Sequence, residues 1–264
     1  MKATVIMSCF NSSQFLAKSI DSVLLQSFKQ FEFLIIDDYS TDDTYEILNN
    51  YSKKDERIKV YKNKVNLGLT ANLNFLIKEA SGEYIVRIDA DDVCKKDRFY
   101  KQIEYLDNNP TIGLVGSSCN VIDEHSNVIG NRTNPCNHSD IIRNLIIFNP
   151  INHPTVVIRT EIALFHLYDT SYRTSQDWDL WIRLYKNKIK FYNLPEKLID
   201  YRVSSDYLAK KSYRYRFNEL KIKLNHFFSF NIFKSLIGVL LTIFLIFLPN
   251  KLFQMIKSFD PRTK

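Results

Sequence analysis

The chain has 264 residues, 45% of them hydrophobic and 25% charged, with 6 glycines and 7 prolines. That composition suits one large or two small globular units and excludes a disordered, collagen-like or linker-rich chain. The formal charge is +7, yet residues 201–264 hold 12 Lys/Arg against 3 Asp/Glu while residues 1–200 hold 24 against 26. A globular part so close to neutral argues against a nucleic-acid partner, and a basic tail beside an apolar stretch suggests an anionic membrane surface.

In chain order, Ala3–Cys9 is a β-branched apolar run and predicts a first strand. Ser8, Asn11 and Ser12 interrupt that run too early for a signal peptide, which implies a cytoplasmic chain. The turn 10–13 offers helix caps, and Phe15, Ile20, Val23, Leu24 and Phe28 follow at helical spacing. Phe31–Ile36 predicts the second strand, ended by a polar loop 37–44 that caps a helix to about Tyr51. Strands over 58–61, 84–88 and 112–116 alternate with helices over 70–80 and 97–106. Such alternation implies an α/β fold with a mainly parallel sheet flanked by helices and ligands beyond the carboxyl ends of the strands.

The second half is less regular. Residues 121–136 predict a hairpin or long loop, 139–148 a helix, 154–159 a strand and 177–185 a helix, with short strands over 190–194 and 198–202. A basic, aromatic helix is expected over 207–228. Residues 235–250 then carry no charge, but a bilayer span wants about 20 apolar residues and Pro249 ends the run. Leu252, Phe253, Ile256 and Phe259 continue with an amphipathic pattern. An interfacial or half-inserted helical hairpin is the favoured reading, ahead of a tilted single span or a buried or partner-binding helix.

The cysteines, Cys9, Cys94, Cys119 and Cys136, form no CxxC pair, which argues against a zinc site or a disulfide framework. The chain also lacks Walker A, GxGxxG, HExxH and GxSxG motifs. What it carries is acidic clusters at strand ends. Asp89-Ala90-Asp91 follows strand 84–88, and paired carboxylates repel unless a cation sits among them. A hard Mg²⁺ or Mn²⁺ shared with substrate phosphates fits that spacing. Asp37-Asp38 ends another strand and could cap a helix or accept from a base or a ribose. Asp177 and Asp179 stand at a helix start, where acids favour the dipole and where a general base could face a cleft. His153 before Pro154 reads first as a satisfied structural histidine.

Val5-Ile6-Met7-Ser8-Cys9-Phe10-Asn11, then Leu34 to Asp42, Asn66-Leu67-Gly68, Asp89-Ala90-Asp91-Asp92 and Gln176 to Trp181 occur in an order that resembles family 2 glycosyltransferases of the GT-A (Rossmann-like) fold, over roughly residues 3–205. The members it looks most like build bacterial surface polysaccharides. The resemblance implies a GT-A domain over 1–205, with a nucleotide-sugar half over about 1–95 and an acceptor half over 96–205; the basic and apolar residues 206–264 beyond it are expected to form a helical membrane-association tail. It implies that Ser8, Phe10, Asn11 and Asp38 line the nucleoside pocket, with Asp38 on the base, and that Asn66, Gly68 and Asn72 complete it. Asp89 would lie near ribose and metal, Asp91 would be the principal ligand of Mn²⁺ or Mg²⁺, Asp177 the catalytic base, and Arg202, in Tyr201-Arg202-Val203-Ser204, a neutraliser of leaving-group charge. Phe10 stands where Tyr is usual, Gln176 where Glu is usual, and Ser204 where many members have His.

The expected reaction is inverting transfer of a hexosyl or N-acetylhexosaminyl group from a nucleoside-diphosphate sugar, a UDP-sugar first, to a lipid-linked glycan at the inner leaflet of the cytoplasmic membrane. A sugar nucleotidyltransferase is the alternative enzyme, but it would carry a Gly- and Arg-rich loop where this chain has Phe10-Asn11-Ser12-Ser13-Gln14. An inactive membrane-bound scaffold is the non-enzymatic alternative, and loss of the metal or base carboxylate would favour it.

Overall fold

The computed structural model describes residues 1–203 and 213–249. Ser204, the start of the helix expected from 207, Asn250 and the amphipathic stretch 252–259 lie outside the described residues. The strands are β1 (Ala3–Cys9), β2 (Phe31–Asp37), β3 (Ile58–Lys62), β4 (Tyr84–Arg87), β5 (Val93–Cys94), β6 (Ile112–Ile122), β7 (Val128–Arg132), β8 (Val157–Arg159) and β9 (Lys190–Arg202). The helices are α1 (Ser13–Leu24), α2 (Thr44–Ser52), α3 (Leu69–Glu79), α4 (Arg98–Asn108), α5 (His138–Leu145), α6 (Thr160–Phe165), α7 (Gln176–Lys186), α8 (Tyr213–Asn225) and α9 (Ile232–Phe247).

One sheet runs β3-β2-β1-β4-β8-β6-β9-β5, with β7 paired to β6. Alternate residues of β1 and β2 feed two cores. Val5, Met7, Phe33 and Ile35 meet Leu16, Ile20 and Val23 of α1 and Phe99 and Ile103 of α4. Ile6, Leu34 and Ile36 meet Leu73 and Leu76 of α3 and Trp181 of α7. All seven residues of β2 are buried because helices cover both its faces.

The expected mainly parallel sheet is corrected to a mixed one. β1 pairs parallel with β2 and β4, and β2 with β3. β8, however, is antiparallel to both its neighbours, β4 and β6. The β6–β7 hairpin reverses the chain, and α5 with the turn at 149–156 returns it from the opposite end, so the helix between β6 and β8 is no parallel crossover. The two short strands expected over 190–202 are one strand, β9, which pairs with β6 through a register shift between Leu194 and Lys197. Pro195 sits in that irregularity, where its missing N–H costs no ladder bond.

The tail is fastened to the domain. Buried Lys223 of α8 donates to the carbonyls of Ile147 and Gly238 at 2.9 and 3.1 Å and to Thr242 Oγ1 at 2.7 Å. Buried Arg216 caps the end of α9 through the carbonyls of Leu245 and Leu248. Asn218 reaches Thr174 and Asn225 reaches Tyr172. Among the described residues no helix is long and apolar enough to cross a membrane, so the tilted single span expected as one alternative is not formed by them.

Candidate active site

The carboxyl ends of β1, β2 and β4 are neighbours in the sheet, and each leads into a polar loop. Two of those exits need unusual backbone, with φ of 49° at Asn11 and 65° at Tyr39; Ser175, which opens α7, sits at 59°. Non-glycine residues seldom adopt positive φ, and such bends gather at functional sites.

Asp38 is buried and holds the loop before α3. Its Oδ1 accepts from Leu67 N and from Asn63 Nδ2, and its Oδ2 from Gly68 N, each at 2.8 Å. Asn66 Nδ2 donates to its carbonyl. Gly68 has φ of 85° with nothing within 4 Å of where a Cβ would stand, so backbone conformation rather than space demands glycine. Asn63 Nδ2 also reaches Asn72 Oδ1 at 2.7 Å, and Asn72 Nδ2 donates to Ser8 Oγ at 3.0 Å. Ser8, Asp38, Asn66, Gly68 and Asn72 are thus one connected network. Asn11 lies on its rim, its Oδ1 accepting from Thr41 N at 2.9 Å, and the Phe10 ring stands exposed beside it.

Asp89, Asp91 and Asp92 bring carboxylate oxygens within 4.8 Å of one another. Asp89 is held in a two-pronged ion pair by buried Arg87, whose Nη1 donates to Oδ2 at 2.7 Å while Nη2 donates to Oδ1. Asp91 is open to solvent but recessed among neighbours; lost hydration and the charge of Asp89 lift its pKa to about 6. Asp92 is fully buried, and burial followed by the charges of Asp89 and Asp91 pushes it well up. Its Oδ1 accepts from Arg202 N, and its Oδ2 has no hydrogen-bond partner among the described residues. An orphaned buried carboxylate oxygen beside two more carboxylates fits a hard divalent cation, which removes both the repulsion and the missing contact.

Asp177 stands at the first turn of α7 with its Oδ2 accepting from Asn149 Nδ2 at 2.6 Å. Burial raises its pKa, and the Asn149 hydrogen bond opposes that. The Arg87 charge also favours ionised Asp177, as it does ionised Asp91 and Asp92. Of the triplet and Asp177, Asp89 is the carboxylate that Arg87 contacts directly among the described residues. His153 is buried, held well below its ordinary pKa by burial and by Arg87, and its Nε2 lies 2.7 Å from Tyr168 Oη. It is a neutral packing histidine. Asp179 points away from the cleft and pairs with Arg183 and His226.

Arg202 has a partner set that the sequence did not suggest. Its Nε donates to the Asp91 carbonyl at 2.9 Å, its Nη1 to the Asp123 carbonyl at 2.6 Å, and both Nη1 and Nη2 to Ser126 Oγ at 3.2 Å. The guanidinium also lies 4.3 Å from the centre of the Phe15 ring. It acts by tying the β6–β7 turn to the acidic loop. Sequence reasoning also passed over Arg87, Asn63 and Asn149 and gave Asp92 no role. Arg87 left a signal, a cation inside an apolar strand at i−2 to a carboxylate; a lone asparagine such as Asn149 leaves none.

An α/β sheet with nucleotide-type loops at adjacent strand ends and an acidic triplet beside them is the GT-A arrangement of glycosyltransferases. The profile described as Glycosyl transferase family 2 matches residues 4–166. The chain is 35% identical over 218 residues to the putative glycosyltransferase EpsE of Bacillus subtilis, covering 81% of this chain and 77% of that one. It is 30% identical over 217 residues to the O-antigen biosynthesis glycosyltransferase WbnJ of Escherichia coli, covering 80% and 84%. Its fold resembles S. aureus TarS 1-349 in complex with UDP-GlcNAc, with TM-score 0.67, 19% identity and coverage of 90% and 70%. It also resembles the mannosyltransferase PcManGT from Pyrobaculum calidifontis in complex with GDP-Man and Mn²⁺, with TM-score 0.65, 16% identity and coverage of 94% and 70%. The chain belongs to glycosyl transferase family 2.

Proposed function

We propose that this glycosyltransferase moves a hexosyl or N-acetylhexosaminyl group, from a UDP-sugar first among donors, to a hydroxyl of a lipid-linked glycan in surface-polysaccharide synthesis, with inversion. The observation that carries the reading is the position of Arg87, whose charge acts on the acidic triplet and on Asp177 together. Carboxylates far apart in sequence therefore feel one and the same cation. WbnJ is named for O-antigen biosynthesis, which supports a glycan acceptor. The nucleotide sugars on TarS and PcManGT support the donor class.

The Ser8–Asn72–Asn63–Asp38 network presents the nucleoside pocket, with the exposed Phe10 ring available to stack on the base. Asp38 keeps a remaining lone pair on Oδ2 for a base N–H, since that oxygen accepts only from Gly68 among the described residues. Asp91 and Asp92 would hold Mn²⁺ or Mg²⁺, with Asp89 beside it and turned toward the ribose by Arg87. When bound, the cation supplies Lewis-acid stabilisation of the leaving diphosphate.

Asp177 takes the proton from the acceptor hydroxyl as that oxygen bonds to the anomeric carbon. The bond from that carbon to the diphosphate oxygen breaks on the opposite face, and the nucleoside diphosphate leaves with the electron pair. A single displacement turns an α-linked donor into a β-linked product. Asn149 donates to Oδ2 of Asp177 and so helps to hold the carboxylate in place. The test is incubation of the full chain with UDP-, GDP- and dTDP-sugars and Mn²⁺, reading released nucleoside diphosphate. Turnover of one donor with Mn²⁺ and none with chelator is expected; no turnover of any donor overturns the reading.

A further inference from the structure

We infer that the outward face of α9 is a membrane-docking surface that lies in the plane of an anionic bilayer. Ile232, Phe233, Leu236, Ile237, Leu240, Leu241, Ile243, Phe244 and Phe247 all stand exposed, from 36% at Ile243 to 81% at Phe247. They run the whole length of the helix, about 24 Å at 1.5 Å per residue. The opposite face, Ser235, Gly238, Val239, Thr242 and Ile246, is buried against the domain. A helix apolar on its outer as well as its inner face needs a second apolar environment.

Two observations choose lipid over another protein. The small residues that let helices approach closely are already used inward: a Cβ at Gly238 would stand 2.8 Å from the Ile146 carbonyl. Apart from Lys234 in the first turn, the exposed residues of α9 are bulky, branched and aromatic, which suit fluid hydrocarbon better than a second helix. The charge also matches anionic headgroups, since exposed Lys234 lies in the first turn of α9, exposed Lys221 lies on α8, and residues 201–264 carry 12 Lys/Arg against 3 Asp/Glu. With no described helix able to cross, the contact is interfacial.

The docking helix is joined to the helix that carries Asp177 through α8, since Lys223 also donates to Gly238 and Thr242 of α9. His226 Nε2 lies 2.8 Å from Asp179 Oδ1, and Lys223 Nζ lies 5.2 Å from the centre of the Trp178 ring. A chain docked through α9 therefore holds the start of α7 at a fixed station relative to the bilayer, where an acceptor on a lipid would arrive.

The test needs no activity and so stands apart from the transfer reading. The full chain is sedimented with phosphatidylcholine vesicles, with and without about one third phosphatidylglycerol. Wild type should pellet with the anionic vesicles and at least about tenfold less with neutral ones. The double variant Leu240→Glu/Phe244→Glu should stay in the supernatant, with circular dichroism and the thermal transition of the domain unchanged. Vesicle binding that survives the double substitution overturns the inference, as does equal binding to both vesicle types. A lipid-free wild type that forms a discrete dimer, dissolved by the same substitutions and blind to vesicles, overturns it in favour of a second copy. If the double variant misfolds, Phe233→Ser and Phe247→Ser, at the two most exposed positions, replace it with the same expected loss.

Discussion

Arg87 and Asp89 form a fork at the end of β4, with Nη1 of the arginine 2.7 Å from Oδ2 of the aspartate and the arginine side chain only 4% exposed. In a strand, residues at i and i+2 share a face, which is why the pair closes. The pair fixes the first acid of the triplet and spreads positive charge toward Asp91, Asp92 and Asp177.

Arg87→Met should lower unfolding stability by about 1–3 kcal/mol, since the Asp89 it leaves is 30% exposed and water takes part of the arginine's place. Arg87→Lys keeps the charge and loses the fork. It should fold and yet lose at least about tenfold in Mn²⁺-dependent kcat, because lysine cannot hold both oxygens. Denaturant melts and initial rates against Mn²⁺ check both; an Arg87→Lys enzyme at wild-type rate removes the fork from the mechanism.

Asp177→Asn should lower kcat by at least about 10², with nucleotide binding intact. Because burial raises the Asp177 pKa, kcat/KM should fall on the acid side at a pH above the ordinary aspartate value of about 3.9. Asn149→Ala removes a hydrogen bond that favours the ionised form, so the acid limb should move to higher pH. A limb that stays put, or moves down, assigns the titration to another group.

Gly68→Ala should cost about 1–3 kcal/mol, because φ 85° with ψ 159° is a region that only glycine enters freely. The loop amides that hold Asp38 would shift, so KM for the nucleotide sugar should rise several-fold while kcat changes little. A thermal melt and a donor titration measure both effects. An unchanged KM would mean the loop does not shape the pocket.

Glu32, on β2, gives an acid-stability prediction. Its burial opposes ionisation, but hydrogen bonds from Ser81, Lys59 and Thr4 outweigh that and hold it at about 2. A carboxyl held below its unfolded value stabilises the fold above that value, about 4.3, and loses the benefit as pH falls toward 2. Glu32→Gln should therefore flatten the fall in stability between about pH 5 and 2, by no more than about 3 kcal/mol, as read from urea melts. A wild-type slope in the variant would place the acid sensitivity elsewhere.

Much of the fold was legible because β1 and β2 are nearly continuous apolar runs and α1 follows period 3.6. The strand exits were legible too, since Asp38, Asp89 and Asp91 follow apolar runs. β5 is only two residues, Val93 and Cys94, and α6 is a short helix started by Thr160; neither is long enough to show a period. The antiparallel entry of β8 depends on where the β6–β7 hairpin points, which no local pattern records. The partners of Arg202 left no trace in the sequence, since its donors reach the carbonyls of Asp91 and Asp123. Partners of that kind have no side-chain signature.

In the proposed reaction Asp91 holds the cation and Asp177 takes the proton, and calorimetric titration of UDP and GDP into wild type, Asp91→Asn and Asp177→Asn, each with and without Mn²⁺, separates these two duties. The account predicts Mn²⁺-dependent binding of one nucleotide to wild type and to Asp177→Asn, and its loss in Asp91→Asn. Binding of equal strength in Asp91→Asn, or binding to wild type that ignores Mn²⁺, would contradict it.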